Sequence, residues 1–304
     1  MRAIVTIPPY APFIQEVTRH PIVSGLRLNT AMKVADSEPL DDLVKRLNEE
    51  ARNEGKELWI DLKCRQLRVQ GYWVPPFTEI KVSHKLHVKT PCKAYFEDGT
   101  EVATVVKVDG NSIFTLEGPR RVIGPGESLN ILDPTLSIEG YLTDTDKRYV
   151  EAGLKAGIKN YMLSYVESLG DIKCLDSYEQ GLKLVAKIES LKGIKYIADD
   201  WKQDCRLMAA RGDLYVELAK PHHMIKALET IIGKDNDAIV ASRIFTSLKD
   251  SLEPNCADIG DVDSLMRMGY KTFMFGDDIC MRRESILSGL NLFMYMADNY
   301  EGHK

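Results

Sequence analysis

Apolar residues recur along this chain with two rhythms. Arg2 to Ile7 is a β-branched apolar run closed by Pro8-Pro9, and it predicts a first strand. Phe13, Ile14 and Val17 then follow helical spacing as far as His20-Pro21. Gly25-Leu26-Arg27-Leu28-Asn29 predicts a second strand with Arg27 and Asn29 on one side. Ser37 is expected to cap a helix whose apolar positions are Leu40, Leu43, Val44 and Leu47, ending at Gly55. Glu57-Leu58-Trp59-Ile60-Asp61 predicts the third strand, with Asp61 and Lys63 at its end. Strands alternating with helices point to a parallel sheet.

Near Val69 the pattern changes. From there to about Leu136 the period is two, rich in Pro, Gly, Val and Thr, with no helical stretch. Asp98-Gly99 and Asp109-Gly110 each predict a turn between strand-like segments, and Gly118-Pro119 and Gly124-Pro125-Gly126 punctuate the rest. A small all-β domain, 70–136, is therefore expected within an α/β domain made of 1–69 and 137–304. Thr143 with Asp146 resembles a capping box opening a helix that Gly157 closes. Further strands are predicted at Asn160–Ser164, Leu184–Ile188, Arg206–Ala209, Asp237–Ala241 and Thr272–Phe275. Helices are predicted over 192–200, 221–232, 258–268 and Arg282–Tyr300. This order fits an α/β fold: a (β/α)8 TIM barrel with an inserted all-β barrel, a lid, after the third strand.

Composition narrows the class. At 304 residues, 44% hydrophobic and 28% charged, the chain has the make-up of a soluble globular protein with a full core. No apolar run is long enough to span a bilayer, and the opening segment is too short for a signal peptide, so no membrane partner and a cytoplasmic location are expected. A net charge of -5 argues against a general nucleic-acid binder. Six cysteines without a Cys-x-x-Cys pair suit free thiols in a reducing compartment, with neither zinc nor disulfides indicated.

The candidate chemistry sits at strand ends. Lys187 and Glu189 are two apart at the end of the fifth barrel strand, and Ala210-Arg211-Gly212-Asp213 ends the sixth. One lysine and two carboxylates on neighbouring parallel strands can hold a divalent ion beside a fixed positive charge; a plain salt bridge among them is the other reading. In a (β/α)8 barrel the site lies at the C-terminal strand ends. Arg27, Asn29, Asp61, Lys63, Lys187, Glu189, Asp213, Ser242 and Asp277 all fall there, a convergence that favours a site over scattered ion pairs. Elsewhere the bland readings are preferred. His84 and His87 face opposite sides of a strand, His222 and His223 open a helix, and Arg120-Arg121 sit in a solvated turn. Asp261, Asp263, Asp277 and Asp278 read as a solvated rim rather than a second cation site, and Trp201, Met266, Met268 and Met274 as core.

A barrel interrupted after strand three, with Lys187-Ile188-Glu189 ending strand five and Ala210-Arg211-Gly212-Asp213-Leu214 ending strand six, resembles the pyruvate kinase family. The likeness includes Gly25–Asn29, Leu58–Arg68, Thr143–Ser164, Ala210–Leu218 and, more weakly, Asp258–Asp278. The family's C-terminal regulatory domain is expected to be absent, giving a divergent short form. The resemblance implies an Mg²⁺ (or Mn²⁺) ion on Glu189 and Asp213, and Lys187 stabilising the phosphoryl group in flight and a pyruvate enolate. It implies a phosphate on Arg27, and the substrate carboxylate cradled by the backbone of Arg211, Gly212 and Asp213. Ser242 stands where the family has a threonine linked to enolate protonation, and Lys63 and Arg68 fall on the nucleotide side.

Several positions depart from the family pattern. Asn29 and Asp61 remain as monovalent-cation ligands, but Ala31 and Leu62 replace a serine and a threonine, so potassium dependence is not implied. Met32 stands for a histidine near the nucleotide, and Phe275-Gly276-Asp277-Asp278 for Ser-Gly-Glu-Thr. The resemblance thus implies transfer of phosphoryl between phosphoenolpyruvate and ADP or ATP. The alternatives are a metal-dependent lyase, aldolase or decarboxylase acting on a 2-oxo acid without nucleotide, or a non-catalytic binding protein. A homo-oligomer is compatible with each.

Overall fold

Side chains of a strand alternate between faces, and that alternation builds both the core and the mouth of the molecule. A computed structural model describes residues 1–96, 99, 101–202, 205–218 and 220–302. In chain order the strands begin with β1 (Arg2–Thr6), β2 (Val23–Asn29) and β3 (Glu57–Leu62). The inserted segment carries β4 (Leu67–Gln70), β5 (Glu79–Val82), β6 (Leu86–His87), β7 (Cys92–Phe96), β8 (Glu101–Asp109), β9 (Ser112–Thr115), β10 (Ser128–Ile131) and β11 (Ser137–Ile138). After it come β12 (Asn160–Leu163), β13 (Lys183–Ile188), β14 (Arg206–Ala210), β15 (Ile239–Ala241) and β16 (Thr272–Phe275).

Strands β1, β2, β3, β12, β13, β14, β15 and β16 close into a parallel barrel in that order. Its helices are α1 (Ile14–Arg19), α2 (Leu40–Asn53), α3 (Asp144–Lys155), α4 (Leu169–Ile172), α5 (Leu191–Asp200), α6 (Arg211–Glu217), α7 (His223–Lys234), α8 (Cys256–Met268), α9 (Asp277–Cys280) and α10 (Arg283–Gly302). The expected α/β barrel is therefore present. Its interior is an apolar layer built from Ile4, Trp59, Met162, Val185, Met208, Ile239 and Met274. Gly25 belongs to the same parity as Arg27, and a Cβ there would come within 3.2 Å of Trp59, so the tryptophan fills the space glycine leaves. The outward set, including Val5, Leu26, Ile60, Ala186, Val240 and Phe275, packs against the helices in one continuous core. Each buried Val, Leu, Ile or Phe of this set contributes roughly 1.5–3 kcal/mol.

Two residues beyond the apolar layer, the same parity delivers Thr6, Asp61, Ser164 and Lys187, all buried. Those positions make the mouth.

The lid is a closed six-stranded barrel in the order β10-β4-β5-β9-β8-β7, with its own core around Trp73, Phe96, Val82 and Val105. A short β6–β11 ladder lies beside it, joining lid residues to the return segment. The turn expected at Asp109-Gly110 joins β8 to β9, with Gly110 at φ +61. The one expected at Asp98-Gly99 involves Asp98, outside the described residues. Thr143 and Asp146 form a true capping box on α3. Asp146 also accepts the backbone N–H groups of Lys63 (2.8 Å) and Cys64 (3.0 Å), so this cap pins the chain where it leaves β3 for the lid. Ser37 does not cap α2; Pro39 is the N-cap residue and offers no side-chain acceptor. Among the described residues no helix is long and apolar enough to cross a membrane.

Candidate active site

Asp61 is fully buried at the end of β3 and is surrounded by cations. Its Oδ2 accepts from Arg27 Nε at 2.8 Å, from Arg27 Nη2 and from Lys63 Nζ at 3.0 Å; its Oδ1 accepts from Lys187 Nζ at 3.1 Å. Burial pushes the Asp61 carboxyl up, but Lys187, Lys63 and Arg27 outweigh it and hold the group well below the usual carboxylate range. The three cations answer differently. Burial draws Arg27 and Lys187 down, yet neighbouring carboxylates raise both above their ordinary values. Lys63 is brought down to about 8, by burial first, against the pull of Asp61 and with repulsion from Arg27 and Lys187.

Lys187 links this cluster to a second one. Besides Asp61, its ammonium donates to Ser164 Oγ at 2.8 Å and lies 3.1 Å from Glu189 Oε1. Glu189, just past β13 and buried, accepts the Tyr165 backbone N–H at 2.8 Å. Burial raises the Glu189 carboxyl; Lys187 opposes this, and the Asp213 and Asp61 carboxylates push it up further. Asp213 lies in the first turn of α6 and, among the described residues, accepts from neutral donors: Gln66 Nε2 at 2.8 Å, Tyr165 OH at 3.2 Å and Asn130 Nδ2 at 3.5 Å. Asn130 belongs to the lid strand β10 and also donates to Tyr165 OH at 2.6 Å and Glu217 at 3.4 Å. Burial, together with Asp213 and Glu167 and against the Asn130 hydrogen bond, lifts Glu217 to about 7.

This second cluster has the donor chemistry of a divalent-ion site. The Asp213 carboxylate is close enough to push that of Glu189 up, and one lysine, Lys187, is shared between Glu189 and Asp61. A hard cation relieves that excess negative charge, and Mg²⁺ typically takes one or two protein carboxylates, leaving its other positions to water or substrate. Among the described residues no set of three or more His, Cys, Asp or Glu side chains forms a self-sufficient metal cage.

The remaining predicted residues are placed as follows. Arg27 Nη1 donates to Thr6 at 2.9 Å and to Asp277 at 3.1 Å, while Asn29 Nδ2 donates to Asp277 at 2.8 Å. The Asp277 side chain is 46% exposed, so this partner faces the opening. The Arg211 guanidinium is not turned to the mouth: it holds the carbonyls of Ser242 and Arg243 and pairs with Asp261. Ser242 and Arg243 are both left-handed, at φ +67 and +55, and Arg211 braces that bend. Phe275 packs outward on Phe245 and Phe293, so its side chain lies behind the barrel wall. His84 is buried with Nδ1 2.8 Å from Ser83 Oγ, whereas His87 is exposed beside Glu139. His222 and His223 are exposed.

Lys63 and Arg68 also line a cleft of about 620 Å³ between the end of β2, the lid and the start of α3, together with Thr30, Ala31, His84 and Thr143. That volume lies within the usual range for small-molecule sites. Arg68 donates to Gln66 Oε1, and Gln66 in turn donates to Asp213, so a hydrogen-bonded path runs from cleft to mouth. Lys63 belongs to both the cleft wall and the Asp61 cluster.

Sequence reasoning passed over Ser164, Tyr165, Asn130 and Gln66. Strand parity after Met162 could have found Ser164; nothing local marks the other three.

The family model for the pyruvate kinase barrel domain matches residues 79–279, well over half of the chain. The chain belongs to the pyruvate kinase family. It is 28% identical over 210 residues to the pyruvate kinase of Mycoplasma genitalium, covering 65% of this chain and 39% of that one. Human pyruvate kinase PKLR is 24% identical over 194 residues, 61% of this chain and 33% of the relative. The pyruvate kinase of Thermotoga maritima is 28% identical over 170 residues, 54% and 34%. The matches thus span between 33% and 39% of those pyruvate kinases. Lys187, Glu189, Asp213, Ser242 and Asp277 all lie inside the segment matched by the pyruvate kinase barrel model, whereas Arg27, Asn29, Asp61 and Lys63 precede it.

Proposed function

We propose that the chain is a pyruvate kinase-like phosphotransferase, moving a phosphoryl group between phosphoenolpyruvate and a nucleoside diphosphate through the pyruvate enolate. One observation carries this reading. The Lys187 ammonium is buried at the barrel mouth, held charged by Asp61 and Glu189, and stands beside the acid pair Glu189–Asp213. Such an arrangement is complementary to a small oxyanion that is itself metal-bound.

Glu189 and Asp213 would hold the divalent ion, Mg²⁺ or Mn²⁺; when bound, it supplies Lewis-acid polarisation of the 2-oxo oxygen. Lys187 offers a fixed positive charge to the developing enolate and to the phosphoryl group in transit. Because Asp61 and Ser164 already orient it, no reorganisation is needed as charge develops. Asp61 fixes the Nε edge of Arg27, and Nη1 points to the half-exposed Asp277. A substrate phosphate would take over that second edge, displacing Asp277 towards solvent. The backbone N–H groups of Arg211, Gly212 and Asp213 would receive the substrate carboxylate, and the Ser242 hydroxyl would serve proton delivery to the enolate. Lys63 and Arg68, on the cleft side, would meet the nucleotide phosphates.

The test is turnover of phosphoenolpyruvate and ADP with Mg²⁺ at high protein concentration, read as pyruvate and ATP together. Absence of turnover with every nucleoside diphosphate tried would remove the phosphotransferase. A second reading keeps the enolate and drops the nucleotide, as a 2-oxo acid lyase, aldolase or decarboxylase; it is favoured by Ala31, which lines the cleft without the hydroxyl that the family's serine would carry there. Metal-dependent exchange of the pyruvate methyl protons without ATP formation separates the two.

A further inference from the structure

The outer wall of the lid carries an exposed apolar face. Tyr72, Phe77 and Leu116 are 74%, 70% and 67% exposed, and Val122 and Val74 lie partly open beside them. Backbone pairing brings the five together. Trp73 and Ile123 exchange N–H···O bonds of 2.9 Å and both point into the lid core. Val74 and Val122, the next pair along, therefore lie opposite each other on the outside, with Tyr72 on the same side of its strand. The Phe77 N–H donates to the Val74 carbonyl at 2.9 Å, a turn that lays Phe77 beside Val74. The Thr115 N–H donates to the Thr78 carbonyl at 2.9 Å, which sets Leu116 against Phe77. Gly118 lets these loops close on one another, since a Cβ there would lie 2.9 Å from the Pro76 carbonyl oxygen.

The face looks away from the mouth. Strand β9, which leads into Leu116, is three strands from β10 in either direction round the six-stranded lid, and β10 is the strand that carries Asn130 to Asp213. Because the lid barrel is closed, it offers no unpaired strand edge here, so a partner must engage side chains.

We propose that this face joins two copies of the chain, lid to lid, about a twofold axis. Charge selects that occupant. Glu117 follows Leu116, Arg120 precedes Val122 by two, and both are exposed; among the described residues neither side chain has an ionic partner. A twofold axis through the patch sets Glu117 of each copy against Arg120 of the other, a self-complementary rim. Area agrees. Two aromatics about seven-tenths open and three aliphatics amount to roughly 400 Å² of apolar surface. That is about half of the ~800 Å² one partner gives to a standard interface, as an apolar centre with a polar rim requires. An anionic membrane fits less well, because the chain carries a net charge of -5 and Arg121 is already paired with Glu127.

The experiment is sedimentation velocity of the whole chain from about 1 to 100 µM, a range that reveals micromolar association. A reversible monomer–dimer equilibrium is expected. Phe77→Glu and Phe77→Ser, at a side chain open to solvent, should each weaken it by about tenfold or more with the circular dichroism spectrum unchanged. Glu117→Arg and Arg120→Glu should each weaken it by about threefold or more, and the double reversal should restore it. An equimolar mixture of the two single reversals should form a mixed dimer tighter than either variant forms alone. A chain that stays monomeric, a dimer indifferent to both Phe77 variants, or a double reversal that restores nothing each overturns the proposal. Flotation of a monomeric chain with phosphatidylserine vesicles, abolished by Phe77→Glu, would assign the face to a membrane and equally overturn it.

Discussion

Asp61 and Glu189 invite comparison, because both are buried acids at barrel strand ends and both touch the same ammonium, Lys187. Their surroundings are opposite. Asp61 meets Arg27, Lys63 and Lys187 and is held well below the usual carboxylate range; among the described residues Glu189 pairs with one cation, Lys187, with Asp213 near, and burial pushes it up. One acid is the anionic keystone of a cationic cluster. The other lies in a region short of positive charge. A cluster of charged residues at a barrel mouth can thus be two devices: a self-neutralised anchor and an acid pair short of positive charge, which on the proposed function a divalent ion would complete.

Removing the residue shared by both devices should have the largest effect. Lys187→Met takes one of three cations from Asp61 and, among the described residues, the only one paired with Glu189. Loss of a preorganised charge at an oxyanion costs about 10²–10³ in rate for a single donor, so phosphoenolpyruvate turnover should fall by about 10³ or more, with substrate KM moving far less. An effect confined to KM would place Lys187 in binding alone.

The two acids should then separate by stability. Asp61→Asn leaves three buried cations without their common anion and should cost about 3–5 kcal/mol, read as a lower thermal midpoint in chelator. Glu189→Gln removes a carboxylate that burial, with Asp213 and Asp61, already disfavours against the pull of Lys187, so in chelator its cost should stay within about 1 kcal/mol. With Mg²⁺ the order of response reverses: the unmodified chain gains stability by ligand linkage and Glu189→Gln does not. Equal destabilisation by the two substitutions in chelator would erase the contrast.

Much of this contrast was legible before any coordinates. The parity of Arg27 with Asn29 and of Lys187 with Glu189 is a property of extended backbone, and the inward set two residues beyond Trp59 and Val185 is where the charges appear. The lid was visible as a change of period, and the Thr143–Asp146 cap as a local motif. Other features depend on contacts that no local pattern encodes. Pro39 displaces Ser37 as the residue before α2, because a proline preset near the helical φ can begin a helix with no side-chain cap. Asn130 reaches Asp213 across 83 residues of sequence, and Gln66 across 147. Tyr165 adopts φ +52, a conformation that bulky side chains seldom take and that sequence does not advertise. Phe275 marks a departure from the family pattern, yet strand parity turns it away from the mouth, so its bearing on the chemistry needed the fold to be seen.

Titration sharpens the comparison from both sides. Lys63, with a pKa of about 8, loses its positive charge as pH rises through that value, while Arg27 and Lys187 are raised and stay charged. Affinity for oxalate, a dianionic mimic of the enolate, should therefore decline above about pH 8, and Lys63→Arg should flatten that limb. On the other side Glu217, at about 7, gains negative charge near Asp213 as pH rises, so metal affinity should climb between about pH 6 and 8, and Glu217→Gln should remove that rise. Calorimetry across this range should give a bell whose two limbs respond to different substitutions. If either substitution changed both limbs equally, the two ends of the site would be one coupled unit.

The smallest expected effect probes the joint between Glu189, Asp213 and the lid. Tyr165 gives its backbone N–H to Glu189 and its hydroxyl to Asp213, and it receives the Asn130 amide from the lid. Tyr165→Phe keeps the ring and the backbone bond and deletes only the hydroxyl, a loss of about 0.5–1.5 kcal/mol for one hydrogen bond. Asp213 retains Gln66, so folding should be little altered. The lid amide, in contrast, loses its shortest partner and keeps longer contacts to Asp213 and Glu217. Mg²⁺ affinity should therefore drop by about threefold to tenfold, in line with one hydrogen bond, while amide exchange at Ser128–Ile131 quickens. Asn130→Ala should reproduce the exchange change with a smaller metal effect, since it leaves the tyrosine hydroxyl on Asp213. Were Tyr165→Phe silent in both measurements, the hydroxyl would be a passenger, and the lid would be held to the barrel by the other contacts of Asn130.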